Sequence, residues 1–467
     1  MTVRKQASQA RRRTQETPRT ESALTVRSPE QSGVNYPHSK HTVCIHATLL
    51  IPGRGSPTVN QLVVAAEQKI VYVGSIEDRP LEYRDVSIVH VPVLLPGLWD
   101  CHTHFTGSPP QDLISMDSMN STNPAEAGAR AVRSVYDTLM AGFTSCVDLG
   151  GYAIELQKVI AEGSILGPTL YGAGAGISMT GGHGDSFTSP LGQVWQRQSV
   201  NSPGAHTGTV PFLLADGIEE CRKAVRINLR RGAKVIKVMA SGGAASRDDD
   251  PMFQQFSDEE LATIVSEANR MGLVCAAHAV GKAGIMAVIR AGFKVIEHGS
   301  YSDDEVFQLM KEKDMIYVAA TTAVWCIYNN KDAYPREVWD KVAKYLKTHL
   351  AAYSNAIKAG VKCALGSDLY GGPGSALGPG QNGHELYYAV QAGMTPLEAI
   401  EAATANGPLT LGPYHAPKSG QIKVGYDADI IALGKTPLED ISIFTDPSNI
   451  THIWKGGRLV KGKHLVQ

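Results

Sequence analysis

The sequence predicts an α/β protein, a (β/α)8 TIM barrel with a small β-sandwich domain built from both terminal regions. Eight short apolar or β-branched runs recur along the middle of the chain, and segments of helical period separate most of them. Strand followed by helix, repeated eight times, is the pattern of this barrel. Strand-rich segments stand at both ends, and 467 residues suit a barrel of roughly 250 residues or more with a smaller companion domain.

The chain begins with residues 1–41, which we expect to form a disordered basic arm. Its first 33 residues hold seven Lys and Arg against three Glu, a net charge of +4. They have too few apolar side chains to bury a core. The Arg and Ser content resembles a transit peptide, whereas the glutamates and the missing amphipathic face argue against one. Because no apolar signal-peptide region is seen, a cytoplasmic location is expected.

A composite small β domain is predicted from residues 42–93 and 412–467. Short apolar stretches alternate there with turn signals, as in CIHATLLI, QLVVAA and KIVYVG near one end and IKVGYDADIIALG and HIWKGGRLVKGK near the other. Such runs are typical of strands in a small antiparallel sheet. The likeness of the two ends predicts that they fold together.

Residues 94–411 are predicted to form the barrel. Its eight strands are expected in VPVLLPGLWD, FTSCVDLG, TLYGAGAG, KVIKVMA, LVCAAHA, KVIEHG, MIYVAATT and VKCALGSD. Several of the intervening helical segments end in Gly, a helix-end signal, and Ser257 with Glu260 predicts a capping box. The long Gly-, Ser- and Pro-rich stretch 177–211 follows the third strand, and we expect it to form a lid or pocket wall.

The composition excludes several classes of partner. A net charge of −1 creates no global field that would recruit nucleic acid or an anionic membrane. No run of about 18 apolar residues is present to span a bilayer. Seven cysteines without a C-x-x-C pair favour a reducing compartment. We therefore expect neither nucleic acid nor a membrane as a partner.

Polar side chains stand at the carboxyl ends of five predicted barrel strands, where the active sites of such barrels lie. They are His102, His104, Lys237, His278, His298 and Asp368. Each alone has an ordinary explanation, such as a loop pair of histidines, a hydrogen-bonded core histidine or a helix cap. As a set at one end of one barrel they predict a metal centre, since H-x-H in an extended segment directs both imidazoles to one side.

Lys237 is the residue that an ordinary explanation fits least. An ammonium group among Val, Ile and Met is costly unless it is paired or neutralised. The neutral amine can react with carbon dioxide to form a carbamate, an anion able to bridge two cations. Lys237 therefore favours a centre with two metal ions over a centre with one.

The same residues resemble the signature of the amidohydrolase superfamily. In that family H-x-H follows strand one, a carboxylated lysine ends strand four, histidines end strands five and six, and an aspartate ends strand eight. GYDADIIAL and the paired terminal strands resemble the family's small β domain, so the resemblance runs from about residue 42 to the C-terminus. KVIKVMASGG, SRDDDP and GMTPLEAIEAATAN resemble the branch that contains ochratoxinase and Xaa-Pro dipeptidases.

The resemblance implies two Zn²⁺ ions per chain, with zinc as the default among divalent metals. His102, His104 and Asp368 would hold the more buried ion, and His278 and His298 the more exposed one.

The resemblance also implies that N6-carboxylated Lys237 bridges the two ions. The ions would activate water and polarise the scissile carbonyl, and Asp368 would carry the proton to the leaving nitrogen. Relatives are commonly oligomeric, so a homo-oligomer is expected by analogy.

One position departs from the branch. Its members often read H-x-H-G at strand five, where this chain has His278 followed by Ala279, Val280 and Gly281. If the second histidine polarises the substrate carbonyl, Val280 cannot replace it. The departure bears on efficiency or substrate range and leaves the metal centre unaffected.

Three residues are candidates for substrate binding. His183, in the GGHGD stretch of the long third loop, is placed to reach over the mouth of the barrel, or else is an exposed histidine in a glycine turn. Arg247 suits bidentate recognition of a substrate carboxylate, or else pairs with the aspartates that follow it. Tyr370 lies just beyond Asp368 and is expected to line the pocket.

The leading hypothesis is hydrolysis of a small-molecule amide that joins an acyl group to an amino acid, such as an N-acyl aromatic amino acid, an ochratoxin-like amide or a dipeptide. Opening of a cyclic amide and deamination on the same scaffold are alternatives, and Lys237 argues against the deaminases with one metal ion. A non-catalytic scaffold protein is the alternative from another class. Such proteins lose metal ligands, whereas all six residues stand in this chain.

Overall fold

The computed structural model describes residues 42–109, 122–187, 189–203, 210–244, 246 and 249–462. The predicted arm of residues 1–41 and the candidate Arg247 lie outside this part of the chain.

Sixteen strands occur in the described residues. They are β1 Thr42–Leu50, β2 Thr58–Ala66, β3 Lys69–Gly74, β4 Ile88–Pro96, β5 Leu98–Thr103, β6 Phe143–Asp148, β7 Thr169–Gly172, β8 Gly176–Ser178, β9 Phe212–Leu214, β10 Ile236–Met239, β11 Cys275–Ala279, β12 Val295–His298, β13 Ile316–Val318, β14 Ile430–Leu433, β15 Ile450–Lys455 and β16 Arg458–Lys461.

Twelve α-helices occur in the same residues. They are α1 Pro124–Met140, α2 Ala153–Ala161, α3 Leu191–Gln198, α4 Gly217–Arg231, α5 Asp258–Asn269, α6 Lys282–Ala291, α7 Asp304–Glu312, α8 Thr321–Asn329, α9 Arg336–Lys358, α10 His384–Gln391, α11 Pro396–Ala402 and α12 Gly412–His415. The capping box predicted at Ser257 is confirmed, since its side chain and that of Glu260 bond reciprocally at the start of α5. Among these helices, none is long and apolar enough to cross a membrane.

A seven-stranded sheet joins the two ends of the chain in the order β16-β15-β14-β4-β1-β2-β3. The junction is β4, which runs parallel to β1 and antiparallel to β14. Ile45 and Ala47 of β1 pack in one buried cluster with Val63 and Ile430. From Ile45 to Thr48, buried residues alternate with more exposed ones, as they do in a strand with one strongly apolar face. The predicted pairing of both terminal regions is therefore present, while their arrangement as a sandwich stays a prediction.

The other strands form two parallel sheets, β5-β6-β7 and β13-β12-β11-β10-β8-β9. Three residues separate β7 from β8, and the two strands belong to different sheets. The predicted eighth strand, VKCALGSD, forms an isolated parallel bridge at Cys363 with Tyr317, and Leu369, directly after it, forms another with Thr103. Parallel strands buried on both faces agree with the continuous apolar runs of the sequence. Closure into one barrel stays a prediction.

Two expectations about local structure are corrected. VPVLLPGLWD is two strands, because β4 ends at Pro96 in the seven-stranded sheet and β5 begins at Leu98 in a parallel sheet. The apolar content is continuous across both, so periodicity alone hides the break. The stretch 177–211 also contains more structure than a loop, because it includes α3 and leads into β9, which pairs with β8.

Gly97 is the residue at which the chain passes between the two sheets. Its N–H donates to the Asp429 carbonyl at 2.9 Å. A Cβ atom at this position would lie 2.1 Å from Thr144 Oγ1 and 2.7 Å from Thr144 Cβ. Both distances are shorter than any ordinary contact, and β-branched Thr144 has little rotational freedom with which to yield.

We predict that Gly97→Ala lowers the free energy of unfolding by about 1–3 kcal/mol, because it overpacks a buried junction. Denaturant unfolding measures the change. Gly128→Ala is the matched control, since Gly128 lies inside α1 with no atom within 4 Å of the added Cβ. This control should gain roughly 0.5–1 kcal/mol in stability. Equal stabilities for the two variants would contradict the packing assigned to Gly97.

Candidate metal centre

The strand β5 positions the first two candidate ligands. All six residues of β5 are buried, and successive side chains point to opposite faces of a strand. Thr103 turns away and donates to the Val147 carbonyl at 3.1 Å. His102 and His104 therefore point the same way, with Nε2 atoms 3.3 Å apart and ring centroids 5.2 Å apart.

Asp368 completes a triangle of ligand atoms with these two histidines. Its Oδ1 lies 3.4 Å from His102 Nε2 and 3.2 Å from His104 Nε2. Ligand atoms bound to one tetrahedral ion at about 2.0–2.1 Å lie about 3.3–3.4 Å apart. The backbone fixes this arrangement, because the Asp368 N–H donates to the His102 carbonyl at 2.7 Å. The three atoms are spaced as the ligands of a single cation.

Hydrogen bonds on the far side of each imidazole fix which nitrogen faces the site. His102 Nδ1 lies 2.8 Å from Glu297 Oε2, and His104 Nδ1 lies 3.0 Å from the Gly150 carbonyl. The Gly150 carbonyl can only accept, so His104 Nδ1 carries the proton, and the ionised form of Glu297 places the proton of His102 on Nδ1 in the same way. Each Nε2 then presents a lone pair. A carboxylate or carbonyl behind a histidine is the usual support of a metal ligand.

Lys237, His278 and His298 lie around the same centre. Lys237 Nζ is 3.4 Å from His102 Nε2. The His298 ring centroid lies 5.2 Å from that of His102 and 4.7 Å from that of His278. His298, His102 and Asp368 also offer ligand atoms that lie within 4.8 Å of one another. His278 Nε2 donates to the Gly242 carbonyl at 3.1 Å, which leaves its Nδ1 as the nitrogen with a lone pair.

The structure thus brings all six sequence-predicted residues together, from the end of β5, from β10, β11 and β12, and from the segment that contains Asp368. Two of them have left-handed backbones, His298 with φ of 68° and Asp368 with φ of 55°. That conformation costs of order 1–3 kcal/mol for a residue other than glycine and clusters at functional sites. The left-handed conformation of His298 is stabilised by Tyr317, whose hydroxyl donates to the His298 carbonyl at 2.7 Å.

Burial governs the charges of these groups. Desolvation lowers the pKa of Lys237, which favours its neutral amine. Desolvation also lowers the pKa of His102, assisted by the nearby Lys237. Burial raises the pKa of Glu297 to about 8. Burial acts in the same direction on Asp368, but the His102 and His104 imidazoles outweigh it and lower the pKa of that carboxyl.

Two carboxylates of the site were missed by the sequence analysis, Glu297 and Asp100. Asp100 is buried and accepts hydrogen bonds from the Ser367 hydroxyl at 2.5 Å and the Asn382 amide at 2.7 Å. It therefore ties β5 to the residue that precedes Asp368. Both carboxylates stand inside otherwise apolar runs, where a buried charge needs a partner. The sequence does show both carboxylates inside apolar runs. It does not show which residues pair with them, because those residues come from distant parts of the chain.

His183 lies beside the centre, and its part in substrate binding stays a prediction. Its ring stacks on that of His278 at 4.2 Å with an interplanar angle of 18°. Its Nδ1 lies 3.0 Å from Asp249 Oδ2. Lys341 in turn donates to the carbonyls of Ser246 and Asp249 at 2.9 and 2.6 Å. A continuous chain of contacts therefore runs from α9 to His183.

The other residues singled out by the sequence have different surroundings. Tyr370 packs in an apolar cluster with Leu369 and Leu377. Its hydroxyl is buried without a hydrogen-bond partner among the described residues. Val280 is buried, and its N–H donates to the Ser241 hydroxyl at 2.9 Å.

Comparison with known proteins identifies the family. The model of the amidohydrolase family matches residues 93–460. The chain belongs to the amidohydrolase family. Members of this family generally use divalent metal ions, and the His/Asp cluster described above could hold one.

Relatives define the kind of hydrolase. Ochratoxinase of Aspergillus niger is 50% identical over 424 residues, which cover 90% of this chain and 86% of that enzyme. The crystal structure of A. niger ochratoxinase superimposes with a TM-score of 0.86 at 49% identity, covering 91% of this chain and 97% of that one. A Xaa-Pro dipeptidase with bound methionine has a TM-score of 0.78 at 28% identity, covering 90% and 100%. This amidohydrolase is therefore an enzyme that acts on amide C–N bonds.

We predict that Glu297→Gln weakens metal binding by about 10–100-fold, because the neutral amide no longer supports His102 as a carboxylate does. Metal content after dialysis against a series of chelators measures the change. Glu385→Gln is the control, since Glu385 is equally buried but accepts from the Thr321 N–H and the Thr322 hydroxyl. Wild-type metal retention by the Glu297 variant would disprove the role of this carboxylate.

Proposed function

We propose that this amidohydrolase uses two metal ions to hydrolyse the amide between an acyl group and an amino acid. The observation that carries the proposal is the triangle of His102, His104 and Asp368, with Lys237 and two further histidines beside it. The 50% identity to ochratoxinase favours an amide substrate of this class. The Xaa-Pro dipeptidase among the structural neighbours supports an amino-acid leaving group.

The proposed architecture is a closed (β/α)8 barrel of residues 94–411 and a small β-sandwich domain of residues 42–93 and 412–467. The segment around residues 363–369 supports closure. The Ala364 N–H donates to the Tyr317 carbonyl of β13, and the Cys101 N–H of β5 donates to the Leu365 carbonyl. On this arrangement the six site residues stand at one end of one barrel, where such enzymes carry their sites.

The donor set fits two divalent ions, with zinc as the first candidate. His102, His104 and Asp368 would hold one ion. His278 and His298 would hold the other. The ions, once bound, would activate water and polarise the scissile carbonyl.

Carboxylated Lys237 would bridge the two ions. Its amine is buried and its pKa is lowered, and only the neutral amine reacts with carbon dioxide. The reaction forms an N–C bond, releases one proton and leaves a carbamate anion, whose charge the two cations would offset in the buried site.

Asp368 is the proposed proton carrier. Its pKa is lowered by the neighbouring imidazoles, so it is a carboxylate ready to accept a proton from the attacking water. Only 18% of its side-chain surface is exposed. It can then deliver that proton to the leaving nitrogen, as a positioned general acid does.

The substrate is proposed to lie between His183 and the segment that carries Tyr370. His183 stacks on His278, and Asp249 fixes its Nδ1 as the protonated nitrogen, so its Nε2 is left to accept a hydrogen bond. Arg247 is proposed to bind a substrate carboxylate. With Val280 in place of a histidine, the side chain of His183 is the proposed source of polar contact on this side of the site.

We predict that the zinc-loaded protein releases phenylalanine from N-acyl-phenylalanine or from an ochratoxin-like amide, detected by mass spectrometry. Asp368→Asn should lower the rate by about 10²–10⁴-fold, the range of general acid–base catalysis. Removal of metal by a chelator should abolish release, and added zinc should restore it. Turnover of lactams alone would favour the cyclic-amide alternative, and a protein that binds no metal would favour a scaffold.

A second prediction concerns the contacts behind His183. Lys341→Met should lower kcat/KM about five- to tenfold without loss of metal. The variant loses the hydrogen bonds that position Asp249 behind His183, and a loss of about 1 kcal/mol of transition-state stabilisation has that effect. Lys341→Arg should restore most of the activity. Lys344→Met, an exposed lysine of the same helix α9, is the matched control. An unchanged kcat/KM in Lys341→Met would show that Lys341 does not position the site.

A further inference from the structure

A second pair of histidines lies on the seven-stranded sheet. His46 of β1 stands directly opposite His90 of β4 in the parallel register. Residues paired in neighbouring strands share a face of the sheet and come into contact. The Nδ1 atoms of the two rings are 3.3 Å apart, the ring centroids are 5.1 Å apart, and the ring planes meet at 61°. His90 is exposed and His46 is half-buried, so the pair is open to solvent.

This geometry is that of two imidazoles aimed at one point. Two nitrogens bound to a tetrahedral zinc ion at about 2.0–2.1 Å lie about 3.3–3.4 Å apart. The rings diverge behind their nitrogens, as they do when both point toward a common centre. The pair His102 and His104 provides an internal reference, with 3.3 Å between nitrogens, 5.2 Å between centroids and the same 61°. The surface pair thus reproduces the arrangement found in the candidate metal centre.

A direct hydrogen bond explains the pair less well. N–H bonds to an acceptor have donor–acceptor distances that cluster near about 2.9–3.0 Å. The separation of 3.3 Å is long for such a bond, and solvent competes for both nitrogens at an exposed site.

We propose that His46 and His90 form a second metal site, one that binds a transition ion that prefers imidazole, such as Zn²⁺, Ni²⁺ or Cu²⁺. The two nitrogens supply two ligands, and water supplies the remaining ones. The bound ion cross-links β1 to β4, the strand through which the two ends of the chain are joined. The site shares no residue with the candidate metal centre, and its existence does not depend on the proposed function.

The test uses the full-length protein saturated with zinc at its tight sites and then freed of excess metal. Titration with Zn²⁺ against a chromophoric chelator should reveal one further ion, bound with micromolar rather than millimolar affinity. His46→Gln and His90→Gln should each weaken this site at least tenfold. His452→Gln is the matched control, because His452 stands on β15 of the same sheet and its Nδ1 lies 3.1 Å from the Thr451 hydroxyl. This variant should bind the further ion as the wild type does.

The nature of the ligands is tested with Cu²⁺ as the probe. The electron paramagnetic resonance spectrum of the first equivalent should show two nitrogen ligands in the wild type and one in each single variant. Unchanged circular dichroism and amide hydrolysis in the variants would establish that the fold and the other centre are intact. A further ion that survives both substitutions, or one that binds only at millimolar concentration, would overturn the proposal. If the wild type binds the further ion but hydrolyses no amide, that result would count against the proposed function alone.

Discussion

The contact between β5 and the segment that ends at Asp368 is the constraint on which the site depends. It brings together the first and last parts of the parallel structure, separated by more than half of the chain. The Asp368 N–H bonds to the His102 carbonyl, and Asp100 accepts from Ser367 just before it. The triangle of ligand atoms is therefore set by backbone and buried hydrogen bonds, which act before any metal arrives. A preformed site of this kind avoids the entropic cost of collecting flexible ligands.

The remaining ligands depend on charge balance. Lys237, Glu297 and Asp368 are enclosed with several imidazoles in a region from which water is largely excluded. In such surroundings a charge is tolerated only when an opposite charge or a hydrogen bond meets it. Glu297 behind His102, and the carbonyls of Gly150 and Gly242 behind two other histidines, leave one lone pair of each imidazole facing inward. The hydrogen bond behind each imidazole and the lone pair that faces inward are two aspects of the same arrangement.

The sequence predicted much of this because strand ends are local features. The six site residues were predicted by reading which polar side chain follows each apolar run, and the structure brings all six together. The break at Gly97 escaped detection, since β4 and β5 are both apolar and only tertiary packing separates them. Glu297, Asp100 and the Asp249–Lys341 contacts were missed for a related reason, because their roles depend on partners far along the chain. Arg247 lies outside the described residues, so its role stays a proposal.

The left-handed backbones of His298 and Asp368 couple two requirements that are usually independent. Aspartate, asparagine and histidine tolerate this conformation better than other residues with a side chain, and β-branched or bulky residues tolerate it poorly. The residue at each position must therefore tolerate a left-handed backbone as well as supply a metal ligand. Glutamate offers the same carboxylate as aspartate, and cysteine offers a stronger zinc ligand, yet both would meet the conformational penalty first. Chain geometry thus narrows the range of ligands, and with it the range of metals, that mutation can explore at these two positions.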